Sequence, residues 1–586
     1  MIISLSLTLQ HYELMKISRL LLFITLSLSS FAAPAQTANI NTLADNYIKR
    51  TFEIYPEAGT FYGIANANNA VLSDNSAAGV KKWQLFEDSL YKALKTIDPK
   101  ALSKADQATY GILYEQIEGD VDCQVCKTEL WSVDQMSGWQ LALGELAAVQ
   151  PVGDDAKRKA TLQRWGQIGY YIQNEIGKLQ MGIQTGYVAP KINVKHVIQQ
   201  INGMLTDTAE KSVFYTPALT DTNKAFGAAL KNSILTQINP ALKQYRDFLQ
   251  NQYLAKARES ISVSAIPNGK ICYQALLRSY TTLKISPADL YDEGVEAVKS
   301  REAKAIEIGQ KLYGTNDLQE ILKRVRADTT NNFHSAEELT AYSKAAIARV
   351  KAKLPDYFNI LPQADVIITP IPAYAQKSSF AHYESAADDG SRPGTYFINL
   401  FEPRTQNKGT AEKTAFHETY PGHHLQISIS RELVKSHPIT KYIGNSGFAE
   451  GWARYTETLA DEMQLYSSDL NRLQLYAQPP TGMVVDPGIH LKGWTREQAI
   501  KYTLEHSPSM TQNDAESYVD RIAITPGQMT TYGTGELQFK TLRKLAEKSL
   551  GPKFDLKEFH DQCLGMGTIP LNMLSDNITQ WIKSKQ

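Results

Sequence analysis

The sequence predicts a mainly α-helical fold: a large helical body with a short β-sheet next to a metal-binding helix and a central cleft. Three observations predict it. Apolar residues recur at i, i+3 and i+4 along most of the chain, the spacing that builds one buried helix face. Strand-like alternation is confined to two short runs. Directly after the second of them, "TAFHETYPGHHLQ" (414–426) gathers three histidines and a glutamate.

Taken in order, the chain opens with "MKISRLLLFITLSLSSFAAPAQ" from Met15, in which Lys16 and Arg19 precede an apolar run from Leu20 to Leu28 and then small residues. That is the three-part layout of a secretory signal peptide, residues 1–35, with Ala33-Pro34-Ala35 ahead of a cut before Gln36. The mature protein is expected to be exported, to the periplasm. No cysteine follows the signal, and no later run approaches the roughly 20 apolar residues of a membrane span, so stable membrane insertion after cleavage is not expected.

Helical spacing then runs from about 40 to 130 and returns over 156–184, 222–260, 287–312, 317–327, 335–353, 449–466, 496–506, 512–523 and 533–549. "ADVIITPIP" (364–372) and "GTYFINLF" (394–401) alternate as strands and are separated by a polar stretch. No repeat, low-complexity tract or long linker divides the chain, so 40–580 reads as a single helical unit, open to division into two lobes.

Charge and cysteine usage exclude other classes. Sixty-one basic residues balance sixty-one acidic ones without a Lys/Arg block, which argues against a nucleic-acid partner. Of the four cysteines, Cys123 and Cys126 form a lone C-x-x-C, expected to be structural: in an exported protein it closes a small loop or pairs with a distant cysteine.

The histidine cluster departs from H-E-x-x-H, in which histidines at i and i+4 share a helix face and the glutamate is a general base. His417 and Glu418 are in place, but i+4 is Pro421, and the next histidines are His423 and His424. On a regular helix, residues i and i+6 point about 120° apart, and i and i+7 stand roughly 10 Å apart along the axis, so neither pair holds one ion. Pro421 removes a backbone donor and biases Tyr420 away from helical angles, while Gly422 is conformationally permissive. A bulge over 419–422 can therefore bring His423 or His424 beside His417. Catalytic zinc sites often add a glutamate. Glu450, in the helical "GFAEGWARYTETLADEM", is the candidate, with Glu457 two turns on as an orienter. Zinc held there would acidify water, and Glu418 would take its proton.

"FHETYPGHHLQ", "FAEGWARYTE", "VVDPGIHLKGWTREQA", "RIAITPGQMTTYGTGE" and "FDLKEFHDQCLGMGTIPL" together resemble the bacterial domain of unknown function 885 family over about 45–575. Its members are regarded as zinc metallopeptidases related to the helical gluzincins, such as thimet oligopeptidase and the Taq-type carboxypeptidases. The resemblance implies a zincin-like helical body and a zinc metallopeptidase, carboxypeptidase or oligopeptidase, acting on a peptide. Matching the Gly-His step implies His423 as second ligand, with His424 orienting substrate or the metal's surroundings, although the two-residue insertion leaves both open as ligands.

Two further groups are candidates for stabilising an oxyanion: His490 in "DPGIH" and Tyr532 in "TTYGTG". Arg521 is a candidate clamp for a peptide's terminal carboxylate. "GTYFINLF" is expected to be an edge strand to which extended substrate adds. Two competing readings are a metal-dependent amidase acting on cell-wall or small-molecule amides, and a helical binding protein without catalysis. A general base at Glu418 argues against the second.

Overall fold

The helical spacing becomes helix over most of the chain. The computed structural model describes residues 39–371, 376, 380–388, 390, 392–433, 437–507 and 510–586; the segment read as a signal peptide, 1–35, lies outside them. About 70% of the structure is helix and 3% strand, so helix faces must supply nearly all of the core. Among the described residues no helix is long and apolar enough to cross a membrane.

The N-terminal periodicity forms Ile40–Ile54, Ala77–Leu94 and Lys104–Cys123. The stretch expected as one helix over 156–184 is two, Asp155–Trp165 and Ile168–Thr185, divided at Gly166 and Gln167. Helical backbone continues from Lys224 to Tyr253 through two π-helical turns. Pro287–Tyr313, Leu318–Ala327, Ala336–Tyr357, Arg496–His506 and Gln512–Ile524 match their predicted spans closely. Gly482–His490 was not anticipated, because Pro487 and Gly488 sit inside it and break the usual helix signal.

The sheet has three strands, β1 (Val366–Pro370), β2 (His382–Glu384) and β3 (Gly394–Ile398), in the order β1-β3-β2. β1 runs parallel to β3 from Val366↔Gly394 to Pro370↔Ile398, and β2 pairs antiparallel with it from His382↔Phe397 to Glu384↔Thr395. The expectation of an edge strand at 394–401 is therefore corrected. β3 is central, with both rows of backbone groups paired, because the polar stretch before it folds back as β2.

The largest core cluster lies under the histidine segment and includes Phe416, Tyr420, Phe448, Trp452, Tyr455 and Phe539. Trp452 is fully buried, its ring 5.4 Å from Phe539 and its indole N–H donating to Pro421 O at 2.9 Å. Burying each such side chain contributes roughly 1.5–3 kcal/mol, enough to hold the segment against this core. Ser446–Glu462 crosses Thr531–Leu550 at glycines: a Cβ on Gly451 would lie 2.4 Å from Gly535 Cα, and one on Gly535 2.0 Å from Gly447 O. Cys126 and Cys272, both fully buried, form a disulfide across a sequence separation of 146, so the C-x-x-C uses a distant partner.

Candidate metal centre

Asn407 caps the first helix of the site, its side chain accepting from Thr410 N–H at 2.8 Å. That helix, Lys408–Glu418, ends at Glu418, and the next, His423–Glu432, begins at His423. The expected bulge is thus a complete break: Thr419 leaves helical angles, Tyr420–Pro421 is cis, and Gly422 N–H returns to Phe416 O at 3.1 Å. Only glycine fits at 422, since a Cβ there would lie 2.0 Å from His417 O and 2.5 Å from Phe416 O.

The break swings the second helix so that His423 meets His417, with ring centroids 4.7 Å apart at 90°. Glu450, from Ser446–Glu462, arrives between them: its Oε2 lies 3.6 Å from His417 Nε2 and 3.5 Å from His423 Nε2. Ligand atoms of the three residues all lie within 4.8 Å of one another. Glu450 Oε2 is buried with no hydrogen-bond partner, as is His423 Nδ1. Two ligands at about 2.0–2.1 Å on a tetrahedral ion stand about 3.4 Å apart, close to these separations. Two imidazoles and a carboxylate are a zinc-type donor set that leaves a fourth position open, so these residues fit the ion.

His417 Nδ1 lies 2.9 Å from Glu457 Oε1, which leaves Nε2 to face Glu450. Burial opposes charge on His417, but Glu450 and Glu457 outweigh it and raise the imidazole to about 10. Burial likewise opposes charge on Glu450, yet the two histidines hold it well below the usual carboxylate range. Glu457 is fixed in turn by Arg454, whose Nη1 donates to Oε2 at 2.9 Å; Arg454 Nε lies 3.6 Å from Glu536, and Glu536 accepts from Arg301 at 2.6 Å. A line of alternating buried charges therefore backs the centre.

Glu418 is 7% exposed. Burial pushes its carboxyl up, against the pull of His417 and His423. Among its electrostatic neighbours is His382 on β2, which stacks on Phe397 at 5.0 Å. The Tyr532 ring lies nearly parallel to that of His417 at 6.4 Å, and its phenol interacts with Glu450 and with Arg521.

Two sequence candidates lie elsewhere in their chemistry. His424 is fully buried and turned toward the sheet. Its Nε2 donates to Ala364 O at 3.1 Å, and Nδ1 faces Tyr383 Oη at 3.1 Å, so neither nitrogen is left for a metal or a substrate. One residue of helix separates it from His423 by about 100°, which explains the opposite outcome. His490 is also corrected: Nδ1 accepts from Val263 N–H at 3.0 Å and Nε2 donates to Ile522 O at 3.1 Å. Burial drops it to about 3, so it is a neutral structural residue rather than an oxyanion donor.

Sequence reasoning passed over Arg454 and His382. Arg454 stands at i+4 from Glu450 and i−3 from Glu457 on one helix, a spacing that could have flagged it. His382 lies in a polar stretch with no signal of its own.

A family model described as "Bacterial protein of unknown function (DUF885)" matches residues 56–578. Nothing among curated proteins matches the chain. A solved structure described as a "putative lipoprotein" from Colwellia psychrerythraea superposes with a TM-score of 0.86, at 24% identity, over 94% of this chain and 100% of that one. Another, described as a "putative lipoprotein of unknown function" from Shewanella oneidensis, gives 0.72 at 18% identity over 92% and 100%. At such identities the likeness is one of fold. The family model spans most of the chain, from before the first site helix to the last helix of the fold, and the chain belongs to the DUF885 family of bacterial proteins.

Proposed function

We propose that this protein is an exported zinc-dependent peptidase that hydrolyses peptide bonds with Glu418 as general base. The observation that carries the reading is the convergence of His417, His423 and Glu450 on one point directly beside Glu418. A zinc ion held by these three would supply Lewis acidity toward water and a peptide carbonyl. Glu418, the residue after the first ligand, takes the proton from the attacking water and returns it to the departing amine. Its burial raises proton affinity, which suits a base working near neutral pH. Glu457 keeps the hydrogen on His417 Nδ1, so that Nε2 offers a lone pair to the metal. Tyr532, whose ring lies 6.4 Å from that of His417, would donate its hydroxyl to the oxyanion that forms on the carbonyl.

Export rests on the signal-like segment from Met15. The naming of two fold relatives as lipoproteins and the Cys126–Cys272 disulfide, which favours an oxidising compartment, support it.

Elemental analysis of the purified protein, followed by a peptide-library digest read by mass spectrometry, tests the proposal. About one zinc per chain and peptide cleavage that Glu418→Gln abolishes without loss of zinc are expected. Cleavage undiminished in Glu418→Gln would overturn the mechanism.

A further inference from the structure

We propose that Arg521, lying against Tyr532, forms an anion-recognition subsite beside the metal ligands, taking the free carboxyl-terminal carboxylate of a peptide so that cleavage removes residues from that end. The inference rests on the peptidase reading above and narrows its substrate class.

The chain treats its buried arginines differently. Arg164 spends its three nitrogens on Val71 O, Thr60 Oγ1, Gln150 Oε1 and Asn68 O. Arg258 gives two nitrogens to three backbone carbonyls. Arg301 and Arg454 face the carboxylates of Glu536 and Glu457. Arg521 does neither. Among the described residues it makes no ion pair; Nη2 donates to Gln528 Oε1 at 2.8 Å, and the guanidinium also interacts with the Tyr532 phenol. A guanidinium offers five donors in a planar fork that matches a carboxylate, so most of this fork is uncommitted.

Its position gives that spare capacity a use. Arg521 feels the charge of Glu450 and lies against the Tyr532 phenol, and the Tyr532 ring stands 6.4 Å from that of His417. Glu450 cannot serve as its counter-charge, because the two ligand histidines already flank the Glu450 carboxylate at 3.5 and 3.6 Å. Among the described residues the guanidinium is thus a half-buried cation with no carboxylate partner of its own, set against the tyrosine that neighbours the metal ligands. At roughly 3.3–3.6 Å per extended residue, a carboxylate clamped beside Tyr532, whose ring stands 6.4 Å from that of His417, leaves room for one or two residues before the scissile bond. A bidentate arginine pair is the strong form of such a contact.

The test compares three versions of one pentapeptide: free acid, carboxamide, and carboxamide with glutamate as last residue. Cleavage is followed by mass spectrometry on the zinc-loaded protein, and binding by calorimetry on the zinc-loaded Glu418→Gln variant, each with Arg521, Arg521→Lys and Arg521→Met. The free acid should lose one or two residues from its carboxyl end, with kcat/KM on the order of 100-fold above either amide. Arg521→Met should collapse that ratio toward one, chiefly through KM, and Arg521→Lys, with charge but no fork, should retain part of it. Equal cleavage of acid and carboxamide, an unchanged ratio in Arg521→Met, or full rescue by the amidated glutamate peptide would each overturn the subsite. If no peptide is cleaved, the peptidase reading falls by itself. Arg521-dependent preference for the free acid in calorimetry would then still support the subsite, and its absence would overturn it too.

Discussion

His417 Nδ1 lies 2.9 Å from Glu457 Oε1. A carboxylate only accepts, so the hydrogen sits on Nδ1 and the ring's other nitrogen is directed at Glu450 and His423. Replacing Glu457 by Gln keeps the shape and removes this enforcement. Zinc affinity, measured by competition with a chelator, is expected to fall about 10–100-fold. An unchanged affinity would show that Glu457 serves only to neutralise Arg454.

The two adjacent histidines should behave oppositely. His423→Ala is expected to abolish bound zinc, as His417→Ala and Glu450→Ala should. His424→Ala should keep about one zinc per chain while lowering the melting temperature, because it strips partners from Ala364 O and Tyr383. Leaving a buried acceptor unsatisfied costs roughly 1–3 kcal/mol. Zinc lost from His424→Ala and kept by His423→Ala would reverse the ligand assignment.

The glycine crossing of Ser446–Glu462 and Thr531–Leu550 sets how far Glu450 stands from Tyr532. Gly451→Ala places a methyl 2.4 Å from Gly535 Cα, where only backbone can yield. A loss of roughly 1–3 kcal/mol in denaturant unfolding is expected, together with weaker zinc binding. Wild-type values in both assays would mean that the helices separate there without disturbing the site.

Away from the centre, Glu87 predicts a pH effect. It is 5% exposed, and burial, then the neighbouring Asp120, push it up to about 8. Asp120 is itself raised to about 6, and Asp88 and Gln124 also face Glu87. The folded carboxyl holds its proton above the usual value near 4.5, so its stability contribution is complete below about 4.5. That contribution is lost as pH rises through about 8. Glu87→Gln should flatten the fall in melting temperature between pH 5 and 9. A slope identical to wild type would place the titration elsewhere.

The sequence made some parts of this architecture readable and hid others for identifiable reasons. The long amphipathic helices and strands β1 and β3 were legible because each commits one face or both to burial. So was the meeting of His417 and Glu450 with one of the two following histidines, since a Pro-Gly break lets the chain turn back on itself there. β2 was hidden, being three residues long, polar, and held by pairing with β3 rather than by its own pattern. His490 misled because a buried imidazole bonded to two main-chain groups looks, as a letter in a motif, like a catalytic one. The contrast between His423 and His424 depends on the direction of a helix that starts only at 423, which spacing within an imagined single helix could not provide.

The four-residue break has a further consequence for how the molecule moves. His417 and His423 belong to separately anchored pieces: the helix of His417 is moored by buried Glu412 to Tyr342, Arg349 and Asn471, and that of His423 is moored through His424 to the sheet. Across the break two main-chain hydrogen bonds, Gly422 N–H to Phe416 O and Leu425 N–H to Thr419 O, tie the two pieces together. An ion bound by both would act as a rivet across that seam, and hydrogen exchange at Thr419, Tyr420 and Gly422 should slow on loading far more than in either helix.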